Sequence, residues 1–132
     1  MRAQGEDGAA AQADCGPSVA GQAVPSCGGR LRDNGPSYVI DGQGRMIGVN
    51  GDFNGWWQKT GVPYERDRAL TMLILDREGI PRVDAPLVLE GGSFHVDGEG
   101  TLMTTEQCLL NQKRHPHLDK QQIEEQLKNY DG

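Results

Sequence analysis

Residues 89–106 read Leu-Glu-Gly-Gly-Ser-Phe-His-Val-Asp-Gly-Glu-Gly-Thr-Leu-Met-Thr-Thr-Glu, and this stretch decides the fold of the chain. It starts at the end of an apolar run, residues 85–89, and its second residue is the acid Glu90. Gly91 and Gly92 follow at once, and glycine reaches backbone angles that are closed to other residues. The pattern predicts a buried strand that presents a carboxylate at its end. Taken alone, such an acid fits a turn residue as well as a catalyst.

Two hairpins are predicted from short strand-like runs that flank Gly-rich turns of four residues. The runs are 93–96 and 101–105 around Asp97-Gly98-Glu99-Gly100, and 37–40 and 45–49 around Asp41-Gly42-Gln43-Gly44. With the buried run 85–89, the chain therefore has five predicted strands.

Two helices are also predicted. The first spans Tyr64 to Glu78, with apolar residues at helical spacing, acids in its first turn and Gly79 as its stop. The second begins at Asp119, which forms a capping-box-like start with Gln122, and its apolar stripe comprises Ile123, Leu127 and Tyr130. The order is strand, strand, helix, strand, hairpin, helix, which is an α/β mixture.

Composition excludes some classes of partner. Only 36% of the 132 residues are hydrophobic and 5% are aromatic, which leaves a thin core. The net charge of -6 argues against nucleic acid, whose binding depends on clustered Lys and Arg, and it favours a small cationic substrate. No apolar stretch approaches the roughly 18 residues of a membrane helix, so we expect no membrane partner.

Residues 1–30 are predicted to be a disordered, low-complexity leader, because they hold too few large aliphatic side chains to form a core. A domain is predicted over residues 31–132. A transit peptide is the rival interpretation of the leader, although Glu6, Asp7 and Asp14 oppose its acid-poor pattern.

The cysteines indicate a reducing compartment. They are odd in number and unevenly spaced, so they form no disulfide framework; they are Cys15, Cys27 and Cys108. Nothing near Met1 has the apolar segment of a signal peptide. We therefore expect a cytoplasmic location.

Longer motifs carry a resemblance to a known family. They are Arg32-Asp33-Asn34-Gly35-Pro36, Phe53-Asn54-Gly55-Trp56, Glu90 to Gly100 and Thr104 to Asn111, followed by Arg114, Pro116-His117-Leu118, Ile123-Glu124 and Leu127. On these residues the chain resembles, from Arg32 to Gly132, the N-terminal part of an agmatine deiminase, of the peptidyl-arginine deiminase type within the guanidine-modifying superfamily. The resemblance covers most of this chain but well under half of a full-length member.

The resemblance implies a five-bladed α/β propeller (pentein), of which this chain would hold somewhat more than one strand-helix blade. It implies the hydrolysis of agmatine to N-carbamoylputrescine and ammonia, in putrescine biosynthesis. A guanidinium stays protonated and delocalised, so the family grips it with carboxylates and attacks it with a cysteine thiolate, helped by a histidine acid/base. No cofactor and no metal are implied, since this chemistry is cysteine-based.

Two site residues follow from the resemblance by position. Asp33, which alone reads as a turn acid, corresponds to the acid that holds the substrate guanidinium. Glu90 corresponds to the acid that orients and polarises the catalytic histidine. The family places that histidine in a Gly-His-Val-Asp motif and its nucleophile in a Gly-Gly-Asn-x-His-Cys motif, and neither motif matches these 132 residues. We therefore expect the chain to be inactive alone.

Other residues look like catalytic or metal-binding groups but do not correspond to such groups in the family. His95-Val96-Asp97 has the form of the histidine motif but corresponds to a non-catalytic hairpin position. Cys108 corresponds to a structural cysteine beside two leucines, and no nearby histidine would make it a thiolate. A metal site at His115 and His117 is disfavoured, because a proline separates them and a third converging ligand is needed.

Three positions depart from the family pattern. Arg30 stands where the family has an aromatic residue, and its charge would repel a cationic substrate. Gly51 replaces a usual tryptophan, and Trp57 replaces a usual glycine.

The alternative hypothesis is a non-catalytic module that binds another chain through an unpaired sheet edge. The other chain would be a second copy, in a homo-oligomer, or a full-length deiminase. We favour the deiminase interpretation.

Overall fold

A computed structural model describes residues 24–26, 29–58, 61 and 63–130 of the chain. Most of the predicted leader, residues 1–30, lies outside these ranges. The elements are α1 (Leu31–Asn34), β1 (Ser37–Ile40), β2 (Met46–Asp52), α2 (Gly55–Gln58), α3 (Glu65–Arg68), α4 (Leu70–Glu78), β3 (Arg82–Val88), β4 (Phe94–Val96), β5 (Leu102–Thr104), α5 (Glu106–Leu109) and α6 (Lys120–Tyr130). The predicted α/β order is confirmed, with short helices added.

Three strands form one sheet in the order β1-β2-β3. β1 and β2 pair antiparallel, with Ser37 opposite Val49, as the first predicted hairpin requires. β2 and β3 run parallel, with Val49 opposite Val83, so α3 and α4 form the crossover that parallel strands need. The second predicted hairpin is β4 and β5, with Phe94 opposite Thr104.

Both hairpin turns use the same aspartate device within an Asp-Gly-x-Gly sequence. Asp41 Oδ1 accepts the backbone N–H groups two and four residues later, both at 2.9 Å, and Asp97 Oδ1 does the same at 2.8 and 3.0 Å. Gly44 and Gly100 close the turns with φ of 77° and 95°, which glycine adopts without strain. Hydrogen bonding holds the pKa of the Asp41 and Asp97 carboxyls below the usual range. In each turn the largest effect comes from a hydrogen bond donated by a backbone N–H.

The predicted helix 64–78 is divided in the structure. α3 and α4 meet at Ala69, whose ψ of -7° departs from the helical value. The hydrogen bonds continue through this position, from Ala69 N–H to Glu65 O and from Leu73 N–H to Ala69 O. The division is therefore a local kink, which apolar spacing does not reveal. The predicted stop is confirmed, since Gly79 takes a left-handed φ of 66°.

The strand before Glu90 is longer than predicted. β3 begins at Arg82, and Leu89 lies just beyond its end. Buried side chains at and just beyond its end form a core with β4, α5 and α6; the members are Leu87, Leu89, Phe94, Leu109, Ile123 and Leu127. The core thus includes Leu87 and Leu89, the residues that lead into Glu90.

The start of α6 confirms the predicted capping box. Asp119 N–H donates to Gln122 Oε1 and Gln122 N–H donates to Asp119 Oδ1, both at 2.9 Å. Ile123 and Leu127 are buried and Tyr130 is half-buried, as the stripe predicted. In the described ranges no helix has the length and apolarity needed to cross a membrane.

Tyr38 offers a test of how α4 docks on the sheet. Its hydroxyl donates to Glu78 Oε2 at 2.6 Å, and burial, followed by this hydrogen bond and the charge of Glu78, raises the pKa of Tyr38 to about 12. The folded state favours the neutral phenol, so this contribution to stability is present below pH 10 and lost between pH 10 and about 12. The tyrosinate absorbance step near pH 12 should therefore be absent from Tyr38→Phe.

Glu78→Gln separates the causes of that shift. It removes the charge but leaves the burial, so the pKa of Tyr38 should fall from about 12 yet stay above 10. A Tyr38 that ionises near pH 10 in the unchanged protein would show that its hydroxyl does not meet Glu78.

Candidate functional site

The two predicted site loops meet at one hydrogen bond. Asp33, in the short helix α1, is half-buried, and its Oδ1 accepts the backbone N–H of Gly92 at 3.0 Å. Its Oδ2 accepts the indole N–H of Trp56 at 3.2 Å. The Arg-Asp-x-Gly-Pro loop and the loop after Glu90 are thus in direct contact, although 59 residues separate Asp33 from Gly92.

The paired glycines make this contact possible. A Cβ added at Gly91 would overlap the carbonyl oxygen of Arg32, and one added at Gly92 would overlap Asp33 Oδ1. Neither glycine has a positive φ, so close approach and not backbone freedom requires them. The sequence singled out both residues, but for their conformational freedom.

Glu90 is the most enclosed acid of the site. It is 2% exposed, and its Oε1 accepts from Arg114 Nε at 2.9 Å. Its main-chain carbonyl accepts the N–H and the hydroxyl of Ser93, at 2.8 and 2.6 Å. Its Oε2 is buried and has no hydrogen-bond partner in the ranges that the structure describes. The carboxylate therefore has one oxygen engaged and one unsatisfied.

Arg114 is a site residue whose role the sequence did not reveal. The pair with Glu90 is buried on both sides, with side-chain exposures of 7% and 2%. Its Nη1 donates to the carbonyl oxygen of Cys108 at 3.1 Å. Because 24 residues separate Arg114 from Glu90, no local sequence pattern connects them. Arg114 was noted only as one of the residues that carry the family resemblance.

The two acids differ in what they can bind. Each Asp33 oxygen accepts one hydrogen bond from the chain, and a carboxylate oxygen has room for about two. Asp33 is also half-exposed, so it can receive the planar fork of donors that a guanidinium presents. Glu90 is enclosed, and its geometry suits the orientation of a neighbouring side chain.

Trp56 connects Asp33 to Arg30. Trp56 has a φ of 52°, a rare conformation for any residue but glycine, and it packs edge-on against Phe53 with ring centroids 5.0 Å apart. The Arg30 guanidinium lies over its ring, 4.9 Å from the centroid, a cation–π distance. Positive charge therefore lies beside the candidate guanidinium site, and its effect on substrate stays a prediction.

Packing accounts for one of the departures. A Cβ added at Gly51 would lie 2.9 Å from the Cβ of Leu89, which leaves no room for a tryptophan while the segment before Glu90 keeps this position. The side chain of Trp57 lies outside the described residues, so that departure has no structural account.

His115 is a structural histidine. It is 4% exposed; its Nε2 accepts the Val88 N–H at 2.9 Å, and its Nδ1 lies 2.7 Å from the carbonyl oxygen of Leu109. This arrangement requires the Nδ1–H tautomer, and it leaves neither ring nitrogen for a metal ion. His95 and His117 are exposed. Among the described residues no three His, Cys, Asp or Glu side chains converge as a metal site.

Cys108 lies in α5 as a half-buried free thiol. Its N–H donates to the N-capping Thr105 hydroxyl at 3.3 Å, and its carbonyl oxygen holds Arg114. The main chain of Cys108 thus supports the site, and the interpretation of its side chain as structural stays a prediction.

Comparison with known proteins identifies the family. Residues 6–132 match the family described as Porphyromonas-type peptidyl-arginine deiminase. The chain belongs to this family. It is 49% identical over 104 residues to the agmatine deiminase of Ectopseudomonas mendocina and 50% identical over 104 residues to that of Pseudomonas savastanoi pv. phaseolicola. In each case the match covers 76% of this chain and 28% of the relative.

Solved structures of the family share the fold of this chain. The agmatine deiminase of Enterococcus faecalis matches with a TM-score of 0.75 at 40% identity, over 81% of this chain and 30% of that one. A Campylobacter jejuni agmatine deiminase with substrate bound matches with a TM-score of 0.65 at 34% identity, over 76% of this chain and 29% of that one. The chain therefore spans under a third of the length of these relatives.

Proposed function

We propose that this chain forms part of an amidine hydrolase that converts agmatine and water to N-carbamoylputrescine and ammonia in putrescine biosynthesis. The observation that carries the proposal is the contact between Asp33 and Gly92, because it brings the two acid-bearing loops together. Family membership and the 49% identity to an agmatine deiminase support the choice of reaction. The proposal includes a cytoplasmic location, which the cysteine content supports.

In this reaction Asp33 holds the substrate guanidinium through its two oxygens. The attraction is between opposite charges in a half-buried setting, and the Gly92 and Trp56 donors keep the carboxylate plane fixed. Agmatine is a dication, and the charge of Arg30 over Trp56 opposes it. Substrate selection among agmatine, free arginine and peptidyl-arginine therefore depends on this corner of the site.

Glu90 orients the histidine that acts as acid and base. The thiolate forms a C–S bond with the guanidinium carbon, the C–N bond breaks, and the leaving nitrogen takes a proton from the histidine to depart as ammonia. Water then forms the C–O bond as the C–S bond breaks, which releases the thiolate and the urea product; one proton of the water returns to the histidine and the other leaves to solvent. The cysteine and histidine motifs for these steps match nothing in the 132 residues, so we assign to this chain the binding and orienting part only.

The same proposal assigns the sheet to a pentein propeller. β1, β2, α3 with α4, and β3 make one strand-helix blade, and the hairpin with α6 begins the next. The match to solved deiminases at a TM-score of 0.75 over about a third of their length supports this assignment.

The rival role as a binding module receives less support. Pro86, within β3, has no N–H to offer a neighbouring strand, and the Val88 N–H is already donated to His115. Two main-chain donors of β3 are therefore closed to edge pairing. The outer edge of β1 has no partner strand among the described residues, but it is only four residues long.

Ammonia release tests the proposed function. The chain alone should release none from agmatine. Residues 31–130, grafted in place of the matching segment of the Ectopseudomonas mendocina enzyme, should release ammonia, and Asp33→Asn should lower kcat/KM of the graft about 100-fold or more, because a charged partner of the substrate is lost. Asp76→Asn, which removes an exposed acid of α4, is the matched control. A folded but inactive graft, or equal activity of the two variants, would contradict the proposal.

A further inference from the structure

The ion pair of Arg114 and Glu90 is buried on both sides. The Nε of Arg114 lies 2.9 Å from Glu90 Oε1, with 7% and 2% of the side chains exposed. A second donor, Nη1, is fixed to the main chain at the Cys108 carbonyl oxygen, 3.1 Å away. Hydrogen bonds to two different parts of the chain therefore fix the plane of the guanidinium, and the Arg114 side chain is not free to adopt another rotamer.

Stability alone does not explain this pair. Desolvation of two charges offsets much of their attraction, and well-packed apolar replacements of buried ion pairs are often as stable. The enclosed Glu90 Oε2 adds a further cost, since a buried acceptor without a donor loses the hydrogen bonds that water would give it. A buried contact that lowers stability and is held in one geometry, as this pair is, is typical of functional sites.

We propose that Arg114 is a positioning residue, which fixes the carboxylate of Glu90 so that Oε1 is occupied and Oε2 alone receives a donor from the reaction machinery. The inference rests on the proposed function, in which that donor is the imidazole N–H of the catalytic histidine. Oε2 is buried and has no hydrogen-bond partner among the described residues, so it is the oxygen left to receive that donor. Arg114 keeps the carboxylate in the orientation that presents it.

The hydrogen bond itself can be measured in this chain. The Nε–H of Arg114 should give a proton resonance that lies downfield of the other arginines and is protected from exchange with water. Glu90→Gln should weaken both properties, because it removes the charge of the acceptor but keeps its oxygen, whereas Lys113→Gln, which removes the adjacent exposed charge, should preserve them. An Arg114 Nε–H that exchanges as fast as those of exposed arginines would overturn the inference, whatever the activity of the chain.

Catalysis separates positioning from structure, with the active graft as the parent protein. Arg114→Gln should lower kcat by about 10- to 100-fold, the usual effect of losing a partner that orients a functional group. The KM for agmatine should stay within about threefold, because Arg114 does not contact the substrate. Arg114→Lys should recover part of kcat, since it restores the charge but not both bonds. Lys113→Gln should match the parent.

The outcomes distinguish this inference from the proposed function. A folded graft without activity contradicts the proposed function, and the exchange measurement on this chain still decides whether Arg114 holds Glu90. An active graft whose kcat is unchanged by Arg114→Gln overturns the positioning role and leaves the proposed function intact. An Arg114→Gln variant that only unfolds more easily, with kcat unaltered in the folded fraction, has the same meaning.

Discussion

His115→Ala should lower the free energy of unfolding of this chain by about 3 kcal/mol, because the imidazole satisfies two buried backbone groups at once. Without it, the N–H of Val88 and the carbonyl of Leu109 both lose their partner. Each orphaned group costs about 1–3 kcal/mol when water cannot reach it, and the space left by the ring adds to the loss. Urea unfolding followed by circular dichroism measures the change.

His117→Ala is the matched control for this prediction. The two histidines are two residues apart, but His117 is exposed, so its loss should stay within about 0.5 kcal/mol. Equal effects of the two substitutions would show that His115 does not bridge β3 and α5. A His115→Ala protein as stable as the parent would have the same meaning.

This bridge lies at a critical point of the fold. Val88 is the last residue of β3, and Glu90 follows two positions later. By taking the Val88 N–H, His115 fixes the end of the strand from which Glu90 emerges. Arg114, the preceding residue, holds the carboxylate itself. Two neighbouring residues of one loop therefore position both the main chain and the side chain of the predicted catalytic acid.

Local features of the fold could be predicted from the sequence. The hairpin turns depend on an aspartate and glycines within five residues, and the start of α6 depends on Asp119 and Gln122. In such cases all the interacting groups are near one another along the chain, so residue type and spacing determine the structure. The α/β order followed from these elements.

The site was only partly predictable, because its contacts join distant residues. Arg114 and His115 meet partners 24 and 27 positions away, and no periodicity or local motif connects them. The sequence disfavoured a metal site at His115 but did not predict that the side chain is buried. The resemblance pointed to Asp33 and Glu90 by position, but the reason for Gly91, its fit against Arg32, required the fold.

Gly91→Ala should separate the two acid-bearing loops. The new Cβ would overlap the Arg32 carbonyl oxygen, which belongs to the main chain and cannot turn aside as a flexible side chain would. Overpacking of this kind typically costs about 1–3 kcal/mol, and the α1 segment should move away to relieve it. The Gly92 N–H would then lose Asp33 Oδ1, so its amide resonance should shift and its exchange with water should accelerate.

Gly42→Ala provides the control, because an added Cβ there meets nothing within 4 Å and the residue has no positive φ. Its stability should be unchanged or rise by about 0.4–1 kcal/mol, the usual effect of restricting the unfolded chain. In the active graft, Gly91→Ala should also lower kcat/KM, although it removes no functional group. Such a loss would mean that the proposed activity depends on the distance between the Asp33 and Glu90 loops. A Gly91→Ala protein with unchanged stability and an unchanged Gly92 resonance would instead mean that the two loops are not in contact.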